Sequence, residues 1–164
     1  MPNDNANLGE TKLVLSEWKT VITTQMHFND MIMRTRTTGV SVVMGVYGAA
    51  ALALGQYPEK FLKISKFNFH VSAAIIIFGI LLLASIASLD YLYYYQMLLA
   101  AVKRGEQIDA AYCDRLIDGT KLFGMTTLIS QKASRSRAGI SLLIFYGGPF
   151  IAGVFSLIYL FCFY

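Results

Sequence analysis

Charge is absent from three long stretches of this chain. Residues 37–58, 67–89 and 138–164 contain no Asp, Glu, Lys or Arg, and all 14 basic and 10 acidic side chains lie outside them. A helix needs about 20 apolar residues to cross roughly 30 Å of hydrocarbon, and each stretch meets that length. Such a partition is what a bilayer imposes. It also argues against coupled transport, which ordinarily uses ionisable groups inside the membrane; a wide or hydrophobically gated pore needs none. Cysteine is scarce as well. Cys113 and Cys162 are the only two and are expected on opposite sides of the membrane, so they form neither a disulfide framework nor, alone, a metal site. There is no Walker loop, dinucleotide fingerprint, HExxH or GxSxG. No enzymatic activity and no cofactor are therefore expected. Residues 1–9 lack the basic, apolar and small-residue regions of a secretory signal, and the first span is expected to direct its own insertion.

At 164 residues, 55% hydrophobic and with a mean hydropathy of +0.52, the chain reads as one all-α domain, an integral membrane helical bundle. Expected in order are a disordered stretch over residues 1–9 and an amphipathic helix over 10–36. A membrane domain over 37–164 follows, with spans near 38–57, 67–90 and 138–161 and a cytosolic helical segment over 91–137. The basic residues flank the spans, which suits contact with lipid phosphates and not nucleic acid, since no aromatic or Gly-rich nucleic-acid motif accompanies them. Only Lys60, Lys63 and Lys66 lie between the first two spans, while eleven Lys and Arg lie before the first span or after the second. The positive-inside rule then puts the N-terminus and the 91–137 segment in the cytoplasm.

Leu15, Trp18, Ile22 and Met26 recur at helical spacing. Two readings fit: a helix in the membrane interface with Trp18 at headgroup depth, or one packed on cytosolic helices. In the first span Ser41, Gly45, Ala49 and Ala53 repeat every four residues, with Gly48 beside them. Small residues let backbones approach in lipid, either against the second span or at a subunit interface or pore lining. Pro58 is expected to stop this helix. The second helix is expected to run from Phe67 to Val102, about 54 Å at 1.5 Å per residue, and to stop at Gly105. A second cytosolic helix is expected over 108–123. Gly147, Gly148 and Pro149 predict a kink in the third span. Trp18, Arg34, Arg36, Tyr91, Tyr93, Tyr94, Tyr95, Arg135 and Arg137 are the candidate membrane-interface anchors.

Candidate chemistry is thin. His27 and Asp30 share a helix face and, with Glu17, suggest either a divalent-metal site or a polar patch; the patch is preferred, and no metal is expected. Asp90 closes the second span, where it either gates cations or is an interfacial charge bound to a Tyr or paired with Arg36 or Arg137. His70 is read as a pH sensor or as a solvated interfacial side chain. Asp109, Asp114 and Asp118 read as a solvated face, with no nucleophile beside them except Cys113.

An amphipathic helix leading through Arg34 and Arg36 into a small-residue span, then a hairpin and a span running through Leu89-Asp90-Tyr91 into a cytosolic helix, resembles the small SLATT-type few-span proteins found beside bacterial antiviral systems. The resemblance covers residues 18–107 and is one of layout; the third span lies outside it. It implies a bacterial inner-membrane protein that perturbs membranes as a defence effector or serves as an accessory subunit. The expectation is a homo-oligomer that forms or regulates a pore. Alternatives are a membrane anchor that recruits a cytosolic protein partner, and a holin-like protein.

Overall fold

A computed structural model describes residues 4–57, 59, 61–64, 67–112, 116–117, 120–121, 124–132 and 135–163. The fold is all-α with two small hairpins. In chain order the elements are α1 (Asp4–Gln56), β1 (Phe61–Ile64), β2 (Phe67–His70) and α2 (Val71–Leu89). A π-helical turn follows (Asp90–Tyr94), then α3 (Tyr95–Tyr112), β3 (Leu116–Ile117), β4 (Thr120–Lys121), α4 (Met125–Lys132) and α5 (Arg135–Phe163). Among the described residues three helical stretches are long and apolar enough to cross a membrane: Lys12–Gln56, Val71–Tyr112 and Leu142–Phe163.

Several expectations are corrected. The disorder expected over residues 1–9 is not found from Asp4 onward, where the chain is already helical. An acidic first residue suits the positive end of the helix dipole. The amphipathic helix and first span are one continuous helix, because no Pro or capping sequence interrupts residues 10–56. The second span begins at Val71, not Phe67: residues 67–70 pair antiparallel with 61–64, Phe61 opposite His70 and Ile64 opposite Phe67. Gly105 does not end a helix, since α3 runs on to Tyr112. The helix expected over 108–123 is replaced by the end of α3 and a two-residue hairpin, Leu116 opposite Lys121. The site of the expected kink lies inside α5, which continues through Pro149, and Gly147 and Gly148 face open space. Pro58, Cys113, Asp114, Asp118 and Gly119 lie outside the described residues, as do the side chains of Arg135 and Arg137.

The chain divides into two compact units. One is Met1–Ile32 with Leu92–Arg137, the other Met33–Tyr91 with Ala138–Tyr164. In the first, Val21, Ile32 and Ile108 are buried. Of the Leu15, Trp18, Ile22 and Met26 stripe, Trp18 and Ile22 are half-buried, and Leu15 and Met26 are exposed. Gln25, one turn beyond Val21, donates from Nε2 to the Ala101 carbonyl at 3.1 Å. Arg104 pairs with Glu17, and Ser130 bonds Glu106. Asp109 is no solvated carboxylate. It is 3% exposed and its Oδ2 accepts from the Thr127 N–H at 2.9 Å and from Thr127 Oγ1 at 3.2 Å, so a side chain of α3 caps the first turn of α4. This approach is open because residue 124 has no Cβ; one there would collide with the Asp109 carboxylate.

In the second unit two clusters form the core. Val43, Leu83 and Tyr146 make one; Ala50, Ala73, Ile76 and Leu160 make the other. Tyr47 threads between them, and glycine makes its room. A Cβ on Gly79 would stand 2.6 Å from Tyr47 Cε1, and one on Gly153 would stand 2.5 Å from its hydroxyl. Close approach through small residues is how helices gain contact in lipid, but the residues that serve here are not those the spacing singled out. Ser41, Gly45, Gly48 and Ala49 are exposed, Ala53 is half-buried, and nothing lies within 4 Å of a Cβ at Gly45 or Gly48. Packing within the chain is not found for Ser41, Gly45, Gly48 and Ala49 among the described residues.

His70 is corrected too. It is 3% exposed and caps α2: Nδ1 accepts from the Ser72 N–H at 3.1 Å, and Nε2 lies 2.9 Å from the Tyr57 carbonyl oxygen. A carbonyl only accepts, so Nε2 carries the proton and Nδ1 keeps its lone pair for the cap. One neutral imidazole thus ties the start of α2 to the end of α1.

Candidate functional site

The buried polar cluster of the second unit joins α1, the π turn and α5. Arg36 donates from Nε to Asp90 Oδ2 at 2.7 Å and reaches Oδ1 from its terminal nitrogen at 3.5 Å. Tyr146 donates its hydroxyl to the same Oδ2 at 2.9 Å. Asp90 is wholly buried, and the Arg36 side chain is 17% exposed. Burying a carboxylate is costly unless it is paired and hydrogen-bonded; here it is both.

Residue spacing explains how the three meet. Ile76, Leu83 and Asp90 are seven apart, as are Arg36, Val43 and Ala50, and Tyr146, Gly153 and Leu160. Seven residues bring a helix back to nearly the same face. Ile76 and Leu83 on α2, Val43 and Ala50 on α1, and Gly153 and Leu160 on α5 are all buried. Each polar residue therefore extends an apolar packing stripe by one heptad. The Asp90 N–H is shared between the Ile86 and Ala87 carbonyls, and the wider π turn follows over Asp90–Tyr94. Such turns inside α-helices recur at functional sites.

Of the alternatives for Asp90, the structure gives the Arg36 pair and a tyrosine bond, with Tyr146 as the tyrosine. Tyr146 was not legible as a site residue: an aromatic in a span reads as lipid-facing bulk, and its heptad relation to Gly153 and Leu160 is the signal that could have found it. Arg36 leaves the set of headgroup anchors, because its guanidinium is engaged with a buried carboxylate. Trp18, Tyr94 and Tyr95 are half-buried; Arg34, Tyr91 and Tyr93 are exposed. Tyr93 and Tyr94 stack edge to face at 5.4 Å. His27 and Asp30 are exposed and His27 packs on Phe28. Among the described residues no group of three or more His, Cys, Asp or Glu could hold a metal ion.

The cluster has no nucleophile, so its chemistry is that of a neutralised latch. It holds three helices together by charge-assisted bonds. No protein family, curated protein or solved structure matches the chain.

Proposed function

We propose that the protein spans the bacterial inner membrane with its N-terminus in the cytoplasm, associates with copies of itself, and forms or regulates a conductive path. On this reading it acts as a membrane-perturbing effector of the kind the SLATT-like layout implies. The observation that carries the reading is the face of α1 bearing Ser41, Gly45, Gly48 and Ala49. It is suited to close backbone approach and none of the described residues of its own chain covers it. The heptad stripe of α1 is already occupied by α2 and α5, so the small-residue face is left for another copy. The Arg36–Asp90–Tyr146 latch would hold the resting arrangement, and its release would free α5 from α1.

Purified protein reconstituted in liposomes is expected to release a trapped dye or pass ions, and to do so more readily when Asp90→Asn weakens the latch. Liposomes that stay tight with both the wild-type and the Asp90→Asn protein would count against conduction. They would favour the second reading, a membrane anchor that recruits a soluble partner. That reading draws on the exposed apolar side chains of the first unit, among them Leu13, Met26 and Ile129. A cytosolic protein retained in stoichiometric amount, and lost when these side chains are changed to Ser, would support it.

A further inference from the structure

His70 fits its place only as a neutral ring. Nδ1 accepts from the Ser72 N–H at 3.1 Å, and Nε2 donates to the Tyr57 carbonyl at 2.9 Å. Both nitrogens are engaged, and one of them must keep its lone pair. The side chain is 3% exposed, and Phe61 of β1 meets the ring edge to face at 5.7 Å. A proton added at Nδ1 turns the acceptor into a donor aimed at another donor. Ser72 is itself fully buried, so its N–H, once deprived of the imidazole, has no water to turn to, and an unpaired buried donor is costly.

Two further effects act in the same direction. The ring is the N-cap of α2, where the helix dipole presents its positive end and opposes a cation. The charged side chains of the segment between α1 and α2 are Glu59, Lys60, Lys63 and Lys66, three cations against one anion, and Glu59 is exposed. α1 beyond Arg36, α2, and α5 beyond Arg137 carry no charged side chain. Imidazole is the side chain whose ordinary change of charge falls between about pH 5 and 8. We propose that His70 is a pH switch at the junction of α1 and α2. The neutral ring clasps the end of α1 to the start of α2; acid protonates Nδ1 and opens the first turn of α2. The stability that the ring lends is therefore present at high pH and lost as the pH falls. The proposal rests on the geometry of the junction and not on conduction. The orientation proposed above decides only that the acid acts from the side away from the cytoplasm.

The test uses the whole protein in detergent micelles, with the histidine ring nitrogens isotopically labelled for NMR. The chain has two histidines; His27 is exposed and serves as the reference, and His27→Gln assigns the signals. At about pH 8 the His70 ring is expected with its proton on Nε2 and a bare Nδ1, and by about pH 5 with a proton on each. Over the same range amide exchange at Ser72, corrected for the intrinsic effect of pH on exchange, should rise about tenfold, the factor that loss of one cap represents. Leu83, buried further along α2, should keep its protection. His70→Asn, a capping side chain without a titrating ring, should hold the exchange at Ser72 constant, and Glu59→Gln should leave the wild-type response in place. A ring that gains its second proton with no change at Ser72 overturns the proposal, as does a ring still neutral at about pH 5 or already charged at about pH 8. An equal response in His70→Asn, its disappearance in Glu59→Gln, or a parallel loss of protection at Leu83 overturns it as well. A switch found in a protein that conducts nothing leaves the proposal standing and removes only the conductive reading.

Discussion

Removing the Asp90 carboxylate is the sharpest perturbation of the latch. In Asp90→Ala the Arg36 guanidinium, 17% exposed, keeps its charge and loses its counter-ion, and the Tyr146 hydroxyl loses its acceptor. Breaking a buried pair from one side costs about 3–5 kcal/mol. Asp90→Asn keeps the shape and one acceptor oxygen, so its loss should be smaller. Tyr146→Phe removes one hydrogen bond to a charged acceptor, worth about 1.5–3 kcal/mol; the lower end applies because Arg36 still neutralises Asp90. The decisive variant removes both charges. Replacing a buried ion pair by apolar residues of similar volume is often neutral or stabilising, so Arg36→Leu combined with Asp90→Leu should be more stable than Asp90→Ala alone. Helicity and oligomer integrity followed through an SDS titration of detergent-solubilised protein would measure these differences. A double-mutant cycle on the two charges should yield a coupling of about 1–3 kcal/mol. An Asp90→Ala protein within about 0.5 kcal/mol of wild type, the range of ordinary surface substitutions, or single losses that simply add in the double variant, would refute the reasoning.

Gly79→Leu drives a side chain into the Tyr47 ring and should cost about 1–3 kcal/mol by overpacking, whereas Gly45→Leu, with open space around it, should leave the fold intact and lower the oligomer mass measured by light scattering; an unchanged mass rejects that face as the contact. His70→Ala removes the cap of α2 and its tie to Tyr57, and a loss of about 0.5–2 kcal/mol with faster amide exchange at Ser72 is expected. Gly124→Ala and Asp109→Ala both undo the cap on α4, by collision and by deletion respectively, and hydrogen exchange should rise at Thr127 and through α4 while α2 keeps its protection.

The three spans were legible because uncharged runs of that length have few other homes. Partner choice was less so. Spacing alone favoured Ser41, Gly45 and Ala49 as the packed face of α1, yet the chain packs α1 through Gly39, Val43, Tyr47 and Ala50. A small residue is compatible with close approach but does not demand it; that depends on whether a bulky partner such as Tyr47 or Ile86 is aimed at it from another helix or its own. The β1–β2 hairpin was missed because four-residue strands carry too little periodicity to compete with an adjacent apolar run. The burial of Asp109 was missed because its reason, the Thr127 N–H, lies 18 residues away in a segment with no pattern of its own.

Asp90 shows what a finer reading of the same string gives. A charge at the end of a span is ordinarily assigned to the headgroups, where it costs little. Near the middle of a span it would cost about 2.5–3.5 kcal/mol, and the question is which face it occupies. Asp90 falls seven residues beyond Leu83, Arg36 seven before Val43, and Tyr146 seven before Gly153. A charge in register with a packing stripe is turned toward neighbouring helices and not toward lipid or water, so it survives only with a partner of opposite sign at the same level. Two such charges of opposite sign, each one heptad outside a core layer on a different helix, already imply that they meet. The third group follows from geometry: a carboxylate with several lone pairs and one cation beside it still has an acceptor site to fill, and the hydroxyl in register on α5 fills it.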